Sequence, residues 1–349
     1  MRVKDYIDKL LNNTYDINDI IYLLSITDEK EKEYLFNASE EICENYFGKK
    51  VYVRGIIEFS NYCRKNCKYC GIRRDNNKLS RYRISPEDII NLAINGYYDG
   101  FHTIVLQSGE DIYYDDKMEY IIRKIKNKVD IAITLSIGER DFEYYKKLRE
   151  AGADRFLLRI ETTDESLFKK LHPDDNFSFR LRCLKKLKEY GYEVGTGVMI
   201  GLPGQSIESL AKDIIFFKNF DADMVGVGPF IPHPDTPLAD EKAGTLDMTL
   251  KVIAISRILL KDTNVPATTA MGTIDKIGRE KALKAGANVI MPNYTPAKYR
   301  PLYKLYDNKI CIFESAENCM ECVKYIAKRA GKYIVREKGS RLKKDLEKV

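Results

Sequence analysis

The sequence has no long hydrophobic run and no apolar signal segment. Its longest stretch without Asp, Glu, Lys or Arg, residues 194–207, is broken by glycines and a proline, whereas a membrane-spanning helix needs about 20 apolar residues. The opening MRVKDYIDKLLNNTYD carries acidic residues where a secretion signal has an apolar core. We therefore expect neither a membrane span nor export, and we predict a cytoplasmic protein without a membrane partner.

The sequence also lacks a concentration of charge. It has 58 Lys and Arg residues against 52 Asp and Glu residues, a net charge of +6, and the positive residues are spread along the chain. Dispersed charge favours a solvated surface over a nucleic-acid site, so no nucleic-acid partner is expected. A chain of 349 residues that is 44% hydrophobic and 32% charged is typical of a folded protein with one large domain or two medium ones.

The eight cysteines are unevenly spaced. Cys43 and Cys183 are isolated and are interpreted as buried or free thiols. The other six form two groups of three, namely Cys63, Cys67 and Cys70 followed much later by Cys311, Cys319 and Cys322. In a chain without an export signal, such grouping favours metal or cluster ligation over disulfides.

Short β-branched runs alternate with helix-period runs along most of the chain. The predicted strands span residues 52–59, 103–107, 130–136, 155–160, 193–200, 224–227, 267–270 and 289–291. The predicted helices between them span residues 86–95, 118–128, 141–151, 177–190, 207–218, 246–260 and 276–285. This α/β pattern indicates a complete (β/α)8 barrel of the TIM type, with its chemistry at the carboxyl ends of the strands. A doubly wound open sheet is the alternative.

The segments that flank the predicted barrel are long enough to cover its ends. The predicted boundaries are residues 1–48 for a helical N-terminal extension, 49–291 for the barrel and 292–349 for a C-terminal extension that carries the second cysteine group. Further elements are predicted as helices at 3–11, 17–24 and 30–46, a short strand near 310–313 and a helix near 319–329. We find no internal repeat and no low-complexity linker.

The first cysteine group has a spacing suited to an iron–sulfur cluster. It reads Cys-x3-Cys-x2-Cys within NYCRKNCKYCGIRR and directly follows the first predicted strand. Three thiolates on one loop can ligate three of the four irons of a 4Fe-4S cluster, which leaves one iron open to a small molecule. Structural zinc takes four protein ligands, and no fourth Cys or His lies nearby, so zinc is the weaker interpretation.

This motif resembles that of the radical S-adenosylmethionine (SAM) superfamily. The resemblance implies that SAM binds the open iron, and that an electron from the cluster splits SAM into methionine and a 5′-deoxyadenosyl radical. The SAM contacts that it implies are Tyr69 and Gly201 on the adenine side, Gly109 and Glu110 at the ammonium, Glu161 at the ribose or the ammonium, Arg180 at the carboxylate, and Ser136 at the end of the third strand. Each contact has an alternative explanation that needs no ligand: loop packing for Tyr69, a helix cap for Glu161, a surface charge for Arg180 and a plain βα turn for Gly201.

Charged residues on predicted strands indicate a cationic cavity. Arg155, Arg159 and Glu161 share one face of a strand, because side chains alternate between the two faces. If they and Arg54 point inward, the cavity suits anions or metal-bound cyanide, carbonyl and carboxylate groups; if outward, they form ordinary strand–helix salt bridges. The other predicted cavity residues are Gln107, Thr134, Thr268, Thr269, Tyr303 and Tyr306.

Longer runs resemble one branch of this superfamily. They are GIIEFSNYCRKNCKYCGIRRDN, TIVLQSGED, GLPGQ, MVGVGPFIPHPDTPLA, PATTAMGT and ANVIMPNYTP, which are similar to the FeFe-hydrogenase maturation enzymes of the HydE type. This resemblance implies action, in an anaerobic cytoplasm, on a cysteine-bound iron carbonyl cyanide complex from a partner maturase during assembly of the H-cluster. It also implies a maturation scaffold protein as a partner and a reductant such as ferredoxin or flavodoxin.

The second cysteine group, Cys311, Cys319 and Cys322, also has a spacing that suits an iron–sulfur cluster. The Cys-x7-Cys-x2-Cys spacing resembles a second iron–sulfur site found in part of this family, so we expect a 2Fe-2S or 4Fe-4S cluster, with zinc or unliganded thiols as alternatives.

The nearest rival function is that of a methylornithine synthase-type mutase. Biotin synthase carries cysteines on its barrel strands, and none of the predicted strands has one. A non-catalytic iron–sulfur protein that carries electrons or binds RNA is the alternative of another class.

Overall fold

Strands and helices alternate along residues 3–312 and 316–342, which the computed structural model describes. The strands are β1 (Lys50–Val53), β2 (Gly55–Ser60), β3 (Thr103–Ser108), β4 (Ala132–Ser136), β5 (Arg155–Leu157), β6 (Glu193–Thr196), β7 (Met199–Ile200), β8 (Met224–Val225), β9 (Gly228–Pro229), β10 (Val289–Ile290) and β11 (Tyr333–Val335). The helices are α1 (Val3–Leu11), α2 (Ile17–Ser25), α3 (Glu29–Phe47), α4 (Pro86–Tyr98), α5 (Met118–Lys126), α6 (Phe142–Glu150), α7 (Glu165–Leu171), α8 (Phe177–Glu189), α9 (Ile207–Asn219), α10 (Leu246–Leu260), α11 (Thr269–Ile274), α12 (Gly278–Lys284) and α13 (Ala316–Arg329). No helix within these residues is both long enough and apolar enough to cross a bilayer.

The main sheet has six parallel strands in the order β2-β3-β4-β5-β6-β8. Each pair of neighbours is joined by at least one helix, which is the repeated βαβ arrangement of TIM-like folds. Beside it, β1 pairs in parallel with β10 and with β11, and β7 pairs in parallel with β9. The prediction of a TIM-like α/β fold is therefore confirmed.

The prediction of a strand at residues 267–270 is wrong. In this region Asn264 and Pro266 make only isolated parallel bridges, to Met224 and Val289 respectively, and α11 begins at Thr269. Pro266 has no N–H to donate, so the hydrogen bonds of this segment to β8 stop at Asn264. For this reason the described strands do not form one continuous eight-stranded ladder.

The N-terminal helices form where the sequence predicts them. Helices α1, α2 and α3 agree with the expected ranges to within one residue at each end. The side chains of Asp16 and Asp28 cap the amino ends of α2 and α3 by accepting hydrogen bonds from backbone N–H groups. The apolar faces of all three helices join the same hydrophobic core as the strands of the main sheet.

The C-terminal region differs more from its prediction. The expected helix is present as α13, but residues 310–312 form no strand, and residue 313 lies outside the described residues. Strand β11, which the sequence did not predict, pairs with β1. Beyond it, residues 338–341, which we name the floor segment, lie across the amino ends of the strands, where the Gly339 carbonyl accepts a hydrogen bond from Arg54.

Candidate functional site

A cavity of about 390 Å³ lies at the carboxyl ends of the strands, because the last residues of β3, β4 and β5 line it. This is the end at which TIM-like folds place their chemistry. Among its lining residues are these residues named in the sequence analysis: Cys63, Cys67, Tyr69, Cys70, Gln107, Gly109, Glu110, Ser136, Arg159, Glu161, Arg180, Thr268, Thr269, Tyr303 and Tyr306.

The cysteine loop between β2 and α4 is held by contacts that the sequence did not reveal. The Arg81 guanidinium donates hydrogen bonds to the carbonyl oxygens of Asn61, Ile72 and Arg73, so it ties the two ends of the loop together. Gly109 touches the loop from β3, since a Cβ at this position would lie 2.2 Å from the Tyr62 carbonyl oxygen. Only glycine permits this approach of the two backbones.

The three sulfur atoms of this loop lie in a dry environment that suits a cluster. Burial raises the pKa of the Cys70 thiol to about 12, and burial likewise raises the pKa of the Cys63 and Cys67 thiols. Coordination to a metal replaces the thiol proton and removes this penalty. Three thiols that face one cavity from one loop therefore fit three corners of an iron–sulfur cluster.

A buried ionic network lies beside the cysteine loop. The Arg180 guanidinium binds the carboxylates of Glu139 and Asp175 and donates to the Arg159 carbonyl oxygen. Lys65 pairs with the same two carboxylates. Arg180 lines the cavity, but most of its hydrogen-bonding capacity is used within the protein, so it is less available to a ligand carboxylate than the sequence suggested.

The Glu110 carboxylate is also fixed by the protein. It accepts hydrogen bonds from Arg64 Nε at 2.7 Å and from the Glu139 backbone N–H at 3.0 Å. Burial raises the pKa of Glu110 above its usual value, although Lys65 and Arg64 oppose this effect. The Glu110 backbone N–H donates to Cys63 Sγ at 3.3 Å, so this residue joins the β3 loop to the cysteine loop.

His172 contacts the site although the sequence gave no reason to select it. Its Nδ1 atom lies 3.4 Å from Cys67 Sγ and 3.2 Å from Asp175 Oδ2, and its Nε2 atom lies 3.2 Å from the Tyr69 hydroxyl. Burial alone would raise the pKa of Asp175, but the hydrogen bond from His172 and the Arg180 charge hold it well below its usual range. No sequence signal connects His172 to the cysteine loop, which lies about 100 residues earlier in the chain.

Arg159 and Glu161 present polar atoms to the cavity without complete partners. Arg159 Nη2 and Glu161 Oε2 form an ion pair of 3.2 Å that is not aligned as a hydrogen bond, and Arg159 Nε has no hydrogen-bond partner within the described residues. Glu161 also adopts a φ of 66°, a left-handed conformation that costs about 1–3 kcal/mol for a non-glycine residue. The Glu161 backbone N–H donates to Gly197, which holds the residue in place. Strain and unpaired buried atoms together are typical of a ligand-binding residue.

A second ion pair in the cavity wall was also missed. The Lys309 ammonium contacts Glu58 Oε1 and donates to the Tyr303 carbonyl oxygen, while Asn293 donates to Glu58 Oε2 at 2.8 Å. Glu58 and Lys309 line both the main cavity and a smaller one of about 50 Å³. The sequence did contain a signal for this ion pair. Glu58 lies in a buried strand, and a charge there is costly unless it has a partner.

Four predicted site residues do not line the main cavity. Arg54, Thr134 and Arg155 line a separate space of about 10 Å³ at the amino ends of the strands. Strand β5 ends at Leu157, so the alternation that placed Arg155 and Arg159 on one face stops between them. Gly201 is exposed and forms a turn with a φ of 85°, in which a Cβ would collide with Gly244.

The second cysteine group converges on the smaller cavity. Cys311, Cys319 and Cys322 all line it, together with Arg279, whose Nη2 atom lies 3.8 Å from Cys322 Sγ. The three residues range from buried to exposed. The isolated Cys43 and Cys183 are buried and form no disulfide, in agreement with their interpretation.

Comparisons with known proteins agree with this geometry. The sequence profile of the radical SAM superfamily matches residues 57–217. The FeFe hydrogenase maturase subunit HydE of Thermotoga maritima is 53% identical over 342 residues, which is 98% of each chain. The 3-methylornithine synthase of Methanosarcina acetivorans is 36% identical over 278 residues, which is 78% of each chain. The solved structure of methylornithine synthase (PylB) has a TM-score of 0.84 at 28% identity and covers 95% of this chain and 97% of its own. With this family profile and this identity over nearly its full length, the chain belongs to the radical SAM superfamily and, within it, to the HydE type.

Proposed function

We propose that this protein reductively cleaves SAM and acts on a cysteine-bound iron carbonyl cyanide complex during assembly of the H-cluster of FeFe hydrogenase. The observation that carries this proposal is one cavity that joins the three cysteines of the loop to the Arg159–Glu161 ion pair, whose polar atoms make no aligned hydrogen bond within the described residues. The 53% identity to the Thermotoga HydE subunit supports the assignment to hydrogenase maturation.

The cysteine loop fits the cofactor of this family. A 4Fe-4S cluster held by Cys63, Cys67 and Cys70 would supply the electron that cleaves SAM to methionine and a 5′-deoxyadenosyl radical. Glu110 and the Arg159–Glu161 pair border the same cavity, and their charges suit the ammonium, ribose and carboxylate groups of SAM. Glu161 Oε2, which lacks a hydrogen-bond partner among the described residues, is our candidate acceptor for the ribose hydroxyls.

The remaining lining residues are candidates for substrate contacts. Gln107, Thr268, Thr269, Tyr303 and Tyr306 combine polar groups with aromatic surface around the cavity. The Thr268 hydroxyl is buried without a hydrogen-bond partner in the described part of the chain, so it is available to a ligand. Lys309 also lines the cavity, but its charge is paired with Glu58.

A second iron–sulfur cluster at Cys311, Cys319 and Cys322 is part of the proposal. Their convergence on one small cavity beside the main one supports it. The proposed partners are a maturase that supplies the iron complex, a scaffold protein that receives the product, and a ferredoxin or flavodoxin as reductant. The proposed setting is an anaerobic cytoplasm.

We further propose that the sheet closes into a complete barrel. The bridges of Asn264 to Met224 and of Pro266 to Val289 link β8 to β10, and the Ile56–Asn293 bridge connects the segment after β10 to β2. The corresponding boundaries are residues 1–48, 49–291 and 292–349. The C-terminal part of this division also contributes β11 and the floor segment to the barrel's amino end.

The test is anaerobic incubation of reconstituted, reduced protein with SAM, followed by chromatography for 5′-deoxyadenosine. We expect the wild type to form deoxyadenosine, Cys70→Ala to form none, and Cys319→Ala to bind less iron while still cleaving SAM. No deoxyadenosine from the wild type would overturn the proposed function. Loss of all cleavage in Cys319→Ala would overturn the auxiliary role of the second group.

The 36% identity to 3-methylornithine synthase and the TM-score of 0.84 make an amino-acid mutase the second candidate. The same incubation with lysine separates the two functions. Formation of methylornithine would favour the mutase, and its absence together with turnover of the iron complex would favour the maturase.

A further inference from the structure

The His172 ring is held by aromatic contacts and by polar neighbours at both of its nitrogen atoms. It is only 2% exposed and immediately follows α7. It stacks on Phe168, with ring centroids 4.5 Å apart and planes at 19°, and it meets Tyr69 edge-on at 5.4 Å. Both ring nitrogens have polar neighbours. Its position and its rotation are therefore both fixed.

The neighbours of the ring determine which nitrogen carries the proton. Nδ1 lies between Cys67 Sγ and Asp175 Oδ2, and a ligating thiolate and a carboxylate can only accept hydrogen bonds. Nε2 faces the Tyr69 hydroxyl, which can donate. Nδ1 therefore carries a proton, and its single N–H is shared between Cys67 Sγ and Asp175 Oδ2. Asp175 keeps its orientation through its ion pairs with Arg180 and Lys65.

The hydrogen-bond donor to Cys67 is a side chain, whereas the donors to the other two cysteines of the loop are backbone N–H groups. Backbone N–H groups donate to Cys63, from Glu110, and to Cys70, from Ile72. No side-chain substitution removes these donors. At Cys67 a side chain stands within donating distance, so a substitution at residue 172 changes this contact without removing a cluster ligand.

We propose that His172 is a positioning residue that donates its Nδ1–H to the Cys67 sulfur and thereby raises the reduction potential of the cluster. This inference rests on the proposed function, because it requires a cluster on the cysteine loop. A hydrogen bond to a cluster sulfur offsets part of the negative charge that reduction adds, so the reduced form is stabilised. Asp175, Arg180 and Phe168 support the ring in this role.

The first test compares reduction potentials of the reconstituted clusters by an EPR-monitored redox titration. His172→Phe keeps the stacking on Phe168 and removes the donor, so its potential should become more negative and a smaller fraction of its cluster should be reduced at a fixed potential. His172→Asn places an amide donor near the position of Nδ1 and should restore the potential towards the wild-type value. His102→Phe is the matched control, since His102 contacts Tyr97 and does not line the cavity.

The second test uses the wild-type protein and does not depend on the folding of any variant. The chain has three histidines, and only His172 of the three lines the main cavity. In protein labelled with ¹⁵N-histidine, we expect a weak ¹⁵N coupling to the reduced cluster in pulsed EPR. It should persist in His102→Phe and disappear in His172→Phe, and its loss in the latter excludes His233, whose ring lies against Gly71 beside Cys70, as the source.

Each outcome has a distinct meaning. An unchanged potential in His172→Phe, or no ¹⁵N coupling in a wild-type protein that shows a reduced-cluster signal, would overturn the donor role. A large coupling would mean that His172 ligates iron directly, an arrangement made conceivable by the Cys67, His172 and Asp175 ligand atoms all lying within 4.8 Å of one another, and it would also overturn the proposal. A wild-type protein without any cluster signal would instead overturn the proposed function.

Discussion

The two ends of the sheet use arginine in opposite ways. At the amino end, Arg155 binds Glu193, the Lys338 carbonyl and Ser340, so its donors are satisfied by the protein. At the carboxyl end, Arg159 lies only four residues later, yet two of its nitrogens lack a hydrogen-bond partner within the described residues. The space is about 10 Å³ at the first end and about 390 Å³ at the second.

This contrast shows that a buried charged side chain indicates function only when the protein does not satisfy all of its hydrogen-bonding groups. A guanidinium whose N–H groups all have acceptors stabilises the fold, whereas one with N–H groups left without a hydrogen bond in a cavity is costly until a ligand arrives. Substitutions at the amino end should therefore change stability, and substitutions at the carboxyl end should change catalysis. The following three predictions test this division.

The largest effect is expected at Glu161. Replacement by Gln keeps the shape of the side chain and removes the charge, so a charged hydrogen bond to SAM worth about 1.5–3 kcal/mol is weakened. We expect kcat/KM for SAM to fall roughly 10- to 100-fold. The measurement is deoxyadenosine formation as a function of SAM concentration.

Glu165→Gln is the control for this substitution, because Glu165 is an exposed residue of α7 that pairs only with Lys169. It should leave kcat/KM unchanged. Equal values for Glu161→Gln and Glu165→Gln would mean that the unpaired carboxylate at the carboxyl end is not a SAM contact.

A smaller effect, on stability alone, is expected at Arg155. Arg155→Met removes the ion pair with Glu193 and the donors to the floor segment, and it should lower the free energy of unfolding by about 2 kcal/mol, since Glu193 is partly exposed. Anaerobic urea unfolding followed by circular dichroism measures this quantity. SAM cleavage by the folded fraction should remain at the wild-type rate.

Arg54→Met is the matched comparison for Arg155. Arg54 has no carboxylate partner among the residues that the structure describes, and burial lowers its pKa to about 9. The Gly339 carbonyl that it binds retains Asn264 as a second donor. We expect a change within about 1 kcal/mol. A loss as large as that of Arg155→Met would show that the floor segment depends on both arginines equally.

A pH-dependent effect on stability is expected at Asp213 of α9, which supports the carboxyl end. Its Oδ1 atom accepts two hydrogen bonds from Thr163, close to Glu161, while Oδ2 has no partner among the described residues. Burial raises its pKa to about 7. The folded state thus binds more protons than the unfolded state between about pH 4 and 7, and stability should fall as the pH rises through this range.

Asp213→Asn cannot ionise and should lose this pH dependence. At pH 8 it should exceed the wild type in stability by roughly 1–3 kcal/mol. Thermal unfolding at pH 5.5 and pH 8 measures both proteins. Parallel pH profiles for the two would indicate that Asp213 is already charged in the folded protein at pH 5.5.

The sequence predicted most of the helices but not the shortest elements. All seven helices expected between strands are present, and all of them except α12 cover more than two turns, so that their apolar period is visible. Helices α7 and α11 have seven and six residues, which is less than two turns, and they were missed. The β-branched Thr268 and Thr269 suggested a strand, but local propensity did not decide their structure.

For the site, motifs with fixed spacing identified the cysteine loop, whereas contacts between distant segments were invisible. His172 and Lys309 contact residues 105 and 251 positions away in the chain, and no local pattern distinguishes these two residues from other polar residues. Arg81 closes the cysteine loop over 20 residues, and its sequence neighbourhood gives no sign of this. Arg54 and Arg155 were assigned to the cavity because strand alternation gives the face of a residue and says nothing about its height along the barrel axis.

The floor segment also sets an order of events during biosynthesis. It follows every described strand in the sequence, and chains fold from the amino terminus as they leave the ribosome. The main sheet can therefore assemble while its lower opening is still filled with water. Arg155 obtains its last two acceptors, Lys338 and Ser340, only when this segment emerges, so closure of the lower end is a late step in maturation of the nascent chain.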